Sequence, residues 1–210
     1  PASGMCNLQC NYCFYHDETK KREIESYGFM SEETLEKVIQ KALDYSDTAC
    51  SFTYQGGEPL LRGLDFFQKS VELQKMYNVK GVNILNAIQT NGTCLDEKWA
   101  KFLKKNNFLV GISLDGIAFT HDCFRVDAKG EGSFGQVMDG IELLKKYDVD
   151  FNILTVVHAM TAKKITQIYD FYKRNSLTWL QFIPCLNPIG MEKEHFPYTL
   201  TPKAYGHFLK

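Results

Sequence analysis

From residue 31 onward, apolar runs of strand length alternate with amphipathic stretches of helical period, and this alternation most narrows what the chain can fold into. Strands are expected at about 50–55, 82–89, 108–114, 151–157 and 179–184, and helices at about 31–46, 63–76, 96–106, 134–147 and 162–174. A further helix is expected to begin after Thr201-Pro202. The first of these helices is the clearest. Ser31 suits an N-cap, Glu32 and Glu33 sit in its positive first turn, and Leu35, Val38, Ile39, Ala42 and Leu43 keep helical spacing. Alternating strands and helices imply an α/β fold with a parallel sheet. Runs such as Phe151-Asn152-Ile153-Leu154-Thr155-Val156-Val157 are apolar almost throughout, which predicts burial on both faces. Serial right-handed βα units build either an open doubly wound sheet or a barrel, and periodicity does not choose between them.

Four polar motifs directly follow expected strands: Gln55-Gly56-Gly57-Glu58-Pro59, Thr90-Asn91-Gly92, Ser113-Leu114-Asp115-Gly116 and Cys185-Leu186-Asn187-Pro188. Ligands bind at that end of a parallel sheet, so four loops are expected to converge on one site. The 210 residues suit one large domain over residues 1–210. With 24 basic against 25 acidic residues, the charge gives no reason to expect nucleic acid or an anionic membrane as partner. No apolar run approaches the ~20 residues that span a bilayer, and no secretory signal pattern opens the chain, so a cytoplasmic protein is expected.

Three of the seven cysteines, Cys6, Cys10 and Cys13, fall within eight residues in a CX3CX2C arrangement. An odd total with this clustering suits metal ligation in a reducing compartment better than a disulfide framework. Two metal centres remain open on spacing alone. An iron–sulfur cluster with three protein thiolates keeps one iron free for another ligand, unlike an electron carrier with four cysteines. A structural zinc needs a fourth protein ligand, for which His16 is the nearest candidate. Cys50, Cys94, Cys123 and Cys185 read as small buried or incidental thiols, and His121, His158, His195 and His207 as isolated surface or satisfied histidines.

The chain resembles the radical S-adenosylmethionine (SAM) superfamily. Tyr12 fills the aromatic position before the last cysteine of the signature loop, and Gly56-Gly57-Glu58-Pro59 is similar to the family's GGEP segment. Within the superfamily it is most similar to the anaerobic sulfatase-maturating enzymes, over essentially its whole length. The supporting segments include Cys13-Phe14-Tyr15-His16, Gln89-Thr90-Asn91-Gly92-Thr93, Val110-Gly111-Ile112-Ser113-Leu114-Asp115-Gly116 and Leu180-Gln181-Phe182-Ile183. The resemblance implies a partial (βα)6 TIM-like barrel whose first strand lies mostly before Pro1, making this chain a piece of a longer protein. It implies a [4Fe-4S] cluster on Cys6, Cys10 and Cys13, with SAM chelated at the open iron and split reductively to a 5'-deoxyadenosyl radical.

By the same resemblance, Gly56 and Gly57 bring backbone carbonyls to the SAM amino group, and Glu58 either assists that ammonium or satisfies nearby backbone. Tyr12 lies near the adenine or packs beneath the cluster. Ser113 contacts the ribose or carboxylate, Arg125 pairs with the carboxylate, and the Leu186 backbone reads the adenine. Asn91 and Asp115 support the rim or cap turns, and Tyr15 and Gln55 face a bound peptide. The implied reaction oxidises a Cys or Ser of a sulfatase to Cα-formylglycine, with electrons from a flavodoxin or ferredoxin. The general base and two further clusters are expected beyond the C-terminus. A thioether-forming peptide maturase and a non-catalytic iron–sulfur or zinc module are the competing readings.

Overall fold

The fold is described from a computed structural model covering residues 1–191 and 195–210. The ligand loop leads into α1 (Phe14–Lys20), a short helix that apolar periodicity does not announce because none of its residues is buried. α2 (Glu32–Tyr45) starts as expected, with Ser31 Oγ accepting from Thr34 N at 3.1 Å. Leu35, Ile39 and Leu43 form its inward stripe, while Val38 turns outward.

β1 (Ala49–Tyr54), α3 (Leu64–Tyr77), β2 (Asn83–Thr90), α4 (Glu97–Lys105) and β3 (Phe108–Ser113) follow in alternation, with a 3-10 turn at Pro59–Arg62. Next come α5 (Ala118–Asp122), α6 (Phe134–Lys146), β4 (Phe151–Val157), α7 (Ala159–Lys163), α8 (Ile165–Arg174), β5 (Leu180–Pro184) and α9 (Pro202–Phe208). The single helix expected at 162–174 is divided at Lys164. His158 makes the earlier start possible: its Nδ1 accepts from Met160 N and Thr161 N, and Thr161 Oγ1 accepts from His158 N at 2.6 Å.

The strands are parallel and lie in chain order, β1-β2-β3-β4-β5. A doubly wound sheet reverses its order at a switch point; this one does not, so the sheet curls as a half-barrel with helices outside. The core lies between sheet and helices. Phe52, Tyr54, Ile88, Val110, Ile112 and Ile153 meet Ile39, Phe67, Trp99, Leu103, Ile141 and Tyr172 there.

Burial on both faces does not hold along the first strands. β1 alternates, with Ser51 and Thr53 exposed between buried Phe52 and Tyr54. In register with that outward row, Leu85 is 56% exposed and Leu109 49% exposed. The concave face of the half-barrel is open, so this row is exposed whether polar, as at Ser51 and Thr53, or apolar, as at Leu85 and Leu109.

Candidate functional site

The strand ends and the ligand loop surround a cavity of about 730 Å³. Cys6, Cys10, Cys13, Tyr12, Gly56, Gly57, Glu58, Ser113, Arg125 and Leu186 all line it, as do Tyr15 and Gln55. The four loops expected to converge do so. Leu8 N donates to Cys6 Sγ at 3.4 Å, and Asn91 Nδ2 lies 3.9 Å from the same sulfur. The orientation of that amide is fixed because Asn91 Oδ1 accepts from Thr93 N at 3.0 Å and Thr93 Oγ1 at 2.7 Å. Burial raises the Cys6 thiol, and it raises Cys10 to about 11 with the Arg125 guanidinium the chief opposing influence. A metal centre displaces the proton of a thiol that ligates it.

Among the described residues, no three His, Cys, Asp or Glu side chains converge tightly enough to hold a single metal ion. The three thiols that line this cavity suit a polynuclear iron–sulfur cluster, which Cys6, Cys10 and Cys13 would hold.

The glycine turn after β1 docks the ligand loop. Gly57 has φ +57°, and a Cβ there would stand 2.4 Å from Met5 O and 2.7 Å from Ser3 O. Glu58 N donates to Met5 O at 2.7 Å. The close approach that requires glycine is thus to the chain's own backbone. Glu58 itself is 1% exposed. One carboxylate oxygen accepts from Leu60 N at 3.0 Å and Thr90 Oγ1 at 2.7 Å, and the other from Asn91 N at 2.8 Å. With both oxygens accepting hydrogen bonds, Glu58 ties the β1 and β2 loops together at the cavity wall.

On the other side of the cavity stands a buried network that reading the residues singly misses. Asp115, completely buried after β3, accepts from Arg125 Nε at 2.9 Å and Nη2 at 3.3 Å, from Val156 N at 2.8 Å, and from the Tyr12 hydroxyl. Burial works to raise the Asp115 carboxyl, yet the Arg125 guanidinium holds it below the usual carboxylate range. The Tyr12 ring stacks on His158 and meets Phe124 and Tyr198 edge-on, so its side chain packs inward behind the ligand loop.

His121 and His158 are both fully buried. His121 Nδ1 accepts from Asp115 N at 3.2 Å, leaving its other nitrogen to pair with Ser133 Oγ at 3.0 Å. His158 Nδ1 is occupied by its helix cap, which puts the proton of the neutral ring on Nε2, 3.9 Å from Asp115. The available sequence signal is the spacing of His121 and Arg125, one helical turn apart just after Asp115.

Desolvation depresses His121 to about 3 and His158 to about 4. Both folded values lie below the ~6.5 of an unfolded histidine. Above that pH neither state binds the proton. As pH falls toward about 4, the unfolded chain takes up protons that the folded chain refuses, and stability falls by about 1.4 kcal/mol per pH unit for each histidine. Urea unfolding between pH 7 and pH 5 will show this slope. His121→Asn or His158→Asn will each remove its share, and a slope unchanged in both variants would assign the acid sensitivity elsewhere.

Ser113 faces the cavity, and its hydroxyl makes no hydrogen bond among the described residues. Leu186 is 80% exposed, so it is no core leucine. Tyr15 and Gln55 stand exposed on the rim, with Tyr15 packed on Phe14. Cys185 is buried against Phe124 and Tyr198, Cys50 and Cys94 pack half-buried on the main core, and Cys123 donates to Phe119 O. His195 and His207 are exposed. No helix among the described residues is long and apolar enough to cross a membrane.

Comparison with known proteins agrees with this geometry. A cysteine-type anaerobic sulfatase-maturating enzyme of Clostridium novyi (strain NT) is 49% identical, over 100% of this chain and 56% of its own length. A serine-type anaerobic sulfatase-maturating enzyme of Bacteroides thetaiotaomicron is 37% identical, over 100% of this chain and 54% of its own length. The solved structure of native anSMEcpe with bound AdoMet and Cp18Cys peptide superposes with a TM-score of 0.94 at 47% identity, covering 100% of this chain and 56% of that one. The chain thus spans little more than half the length of these relatives. The family model of the radical SAM superfamily matches residues 1–172, which hold Cys6, Cys10 and Cys13, the glycine turn and the Asp115 network. By its sequence, its half-barrel and the ligand loop at the strand ends, this chain belongs to the radical SAM superfamily.

Proposed function

We propose that residues 1–210 form the core of an enzyme that cleaves SAM at a [4Fe-4S] cluster and oxidises a cysteine or serine of a sulfatase peptide to Cα-formylglycine. The observation that carries the reading is the placement of Cys6, Cys10 and Cys13 on one cavity at the strand ends, together with the glycine turn, Ser113 and Arg125. The relatives matched over the whole chain include both cysteine-type and serine-type sulfatase-maturating enzymes. When bound, the cluster supplies the electron that splits the sulfonium of SAM, leaving a carbon radical able to take hydrogen from a substrate.

Cys6, Cys10 and Cys13 would hold the cluster. The carbonyls of Gly56 and Gly57 would accept from the SAM ammonium, Arg125 would read its carboxylate, and the free Ser113 hydroxyl would bond the ribose or carboxylate. The adenine would lie against the Leu186 backbone and the loop at Tyr12. Exposed Tyr15 and Gln55 would meet the peptide at the rim. The acid–base step would fall to residues outside this chain, with reduction by a flavodoxin or ferredoxin.

Anaerobic reconstitution followed by reduction should give the electron paramagnetic resonance signal of a [4Fe-4S] cluster, and the signal should shift when SAM is added. A well-formed cluster indifferent to SAM would overturn the reading. The full-length enzyme, given a cysteine peptide of a sulfatase, should yield an aldehyde that hydrazine reagents trap. A thioether crosslink detected by mass spectrometry would replace this reaction with that of a crosslinking maturase.

A further inference from the structure

We infer that Asp115 is the positioning residue of the SAM carboxylate site: it grips one edge of Arg125 so that the other edge faces the cavity. The inference rests on the proposed role of Arg125 and adds what fixes that side chain. A guanidinium has two usable edges. Asp115 takes Nε at 2.9 Å and Nη2 at 3.3 Å, which is the side-on edge. Nη1 has no partner among the described residues, and Arg125, only 8% exposed, lines the cavity. The end-on edge is therefore left for a planar anion in the cavity.

Asp115 is itself held on all sides. Val156 N of β4 donates to Oδ1 at 2.8 Å, and its own N–H donates to His121 Nδ1 at 3.2 Å. His121 continues to Ser133 Oγ, which donates to the Arg125 carbonyl at 2.8 Å, so backbone and side chain of Arg125 are fixed from the same anchor. Oδ2 also accepts from the Tyr12 hydroxyl, between ligands Cys10 and Cys13. The carboxylate thus ties β3, β4, the Arg125 loop and the ligand loop into one unit. A buried ion pair is a poor stabiliser compared with apolar packing of the same volume, so its presence in the cavity wall is better explained by the geometry it imposes.

The test compares the affinities of the cluster-loaded chain for SAM and for decarboxylated SAM. The analogue also lacks one ligand to the open iron, but that loss is common to every variant and cancels in comparisons between them. In Asp115→Asn, the preference for SAM over the analogue should fall at least about tenfold, because a charge-assisted contact to the carboxylate is misdirected. Equal weakening toward both ligands, or none, would overturn the inference and leave Asp115 a wall residue.

Arg125→Lys keeps a cation beside Asp115 but loses the fork. If this variant keeps the full preference, the assignment of the carboxylate to Arg125 is what fails. Should Asp115→Asn not fold, the unaltered chain decides. With 15N-arginine labelling and the cluster in its oxidised, diamagnetic state, the Arg125 Nε–H should resist solvent exchange without SAM as well as with it. An Nε–H protected only when SAM is present would show that SAM, not Asp115, orients the guanidinium.

Discussion

Anaerobic reconstitution of the Cys10→Ala chain is expected to leave it with only background iron and sulfide and without the visible absorption of a cluster, while its fold survives. The thiols lie outside the main core: Cys6 is exposed, and Cys10 and Cys13 are half-buried at the cavity. Removing one therefore costs little packing. The loss to the cluster is nearly complete, because three thiolates already leave one iron without a protein ligand, and two do not enclose the cluster. Cys185→Ala is the matched control. Cys185 also lines the cavity but packs against Phe124 and Tyr198, outside the cysteine-rich loop, as an apolar contact. Its removal should lower the thermal midpoint without altering iron content. A Cys10→Ala chain that retained a full cluster would refute the ligand assignment.

Gly57→Ala should damage both the fold and the cluster while leaving the thiols in place. An alanine forced into φ +57° costs ~1–2 kcal/mol. Its Cβ would also stand 2.4 Å from Met5 O, a backbone atom that cannot swing aside. Relief requires the ligand loop to lift, which breaks the Glu58 N to Met5 O hydrogen bond, another ~1 kcal/mol. The total is about 3 kcal/mol, measurable by urea unfolding. Cluster content should drop with it, because Met5 immediately precedes the first ligand. Gly81→Ala is the informative contrast: φ is +67° there, but a Cβ meets nothing within 4 Å. It should show the conformational cost alone and keep its cluster. Equal effects at the two glycines would mean that contact with the ligand loop is unimportant.

Both experiments address features that the sequence partly discloses. The alternation of periods gives five strands and most helices within a few residues, since each element's apolar stripe is a local pattern. The cysteine triplet is legible because one short loop carries all three residues, and the Ser31 cap because its bond is made three residues away. Where neighbours in sequence decide the chemistry, the sequence suffices.

What remained for the tertiary structure is what distant segments do to one another. Tyr12 and Asp115 are 103 residues apart in the chain and hydrogen-bonded in the fold. His121 and His158 look like any isolated histidine until loops after β3 and β4 bury both beside Asp115. That Glu58 holds the β2 loop, through Thr90 Oγ1 and Asn91 N, is likewise set by segments more than thirty residues apart. Gly57 looks like room for a ligand until the ligand loop lies against it. The choice of half-barrel over doubly wound sheet also waited on strand order, because local periodicity is the same in both. Residue types and spacing determined which atoms could do the chemistry; only the convergence of the loops at the strand ends, which sets burial and therefore charge and hydrogen-bond partners, decided which side chains face a ligand and which hold the others in place.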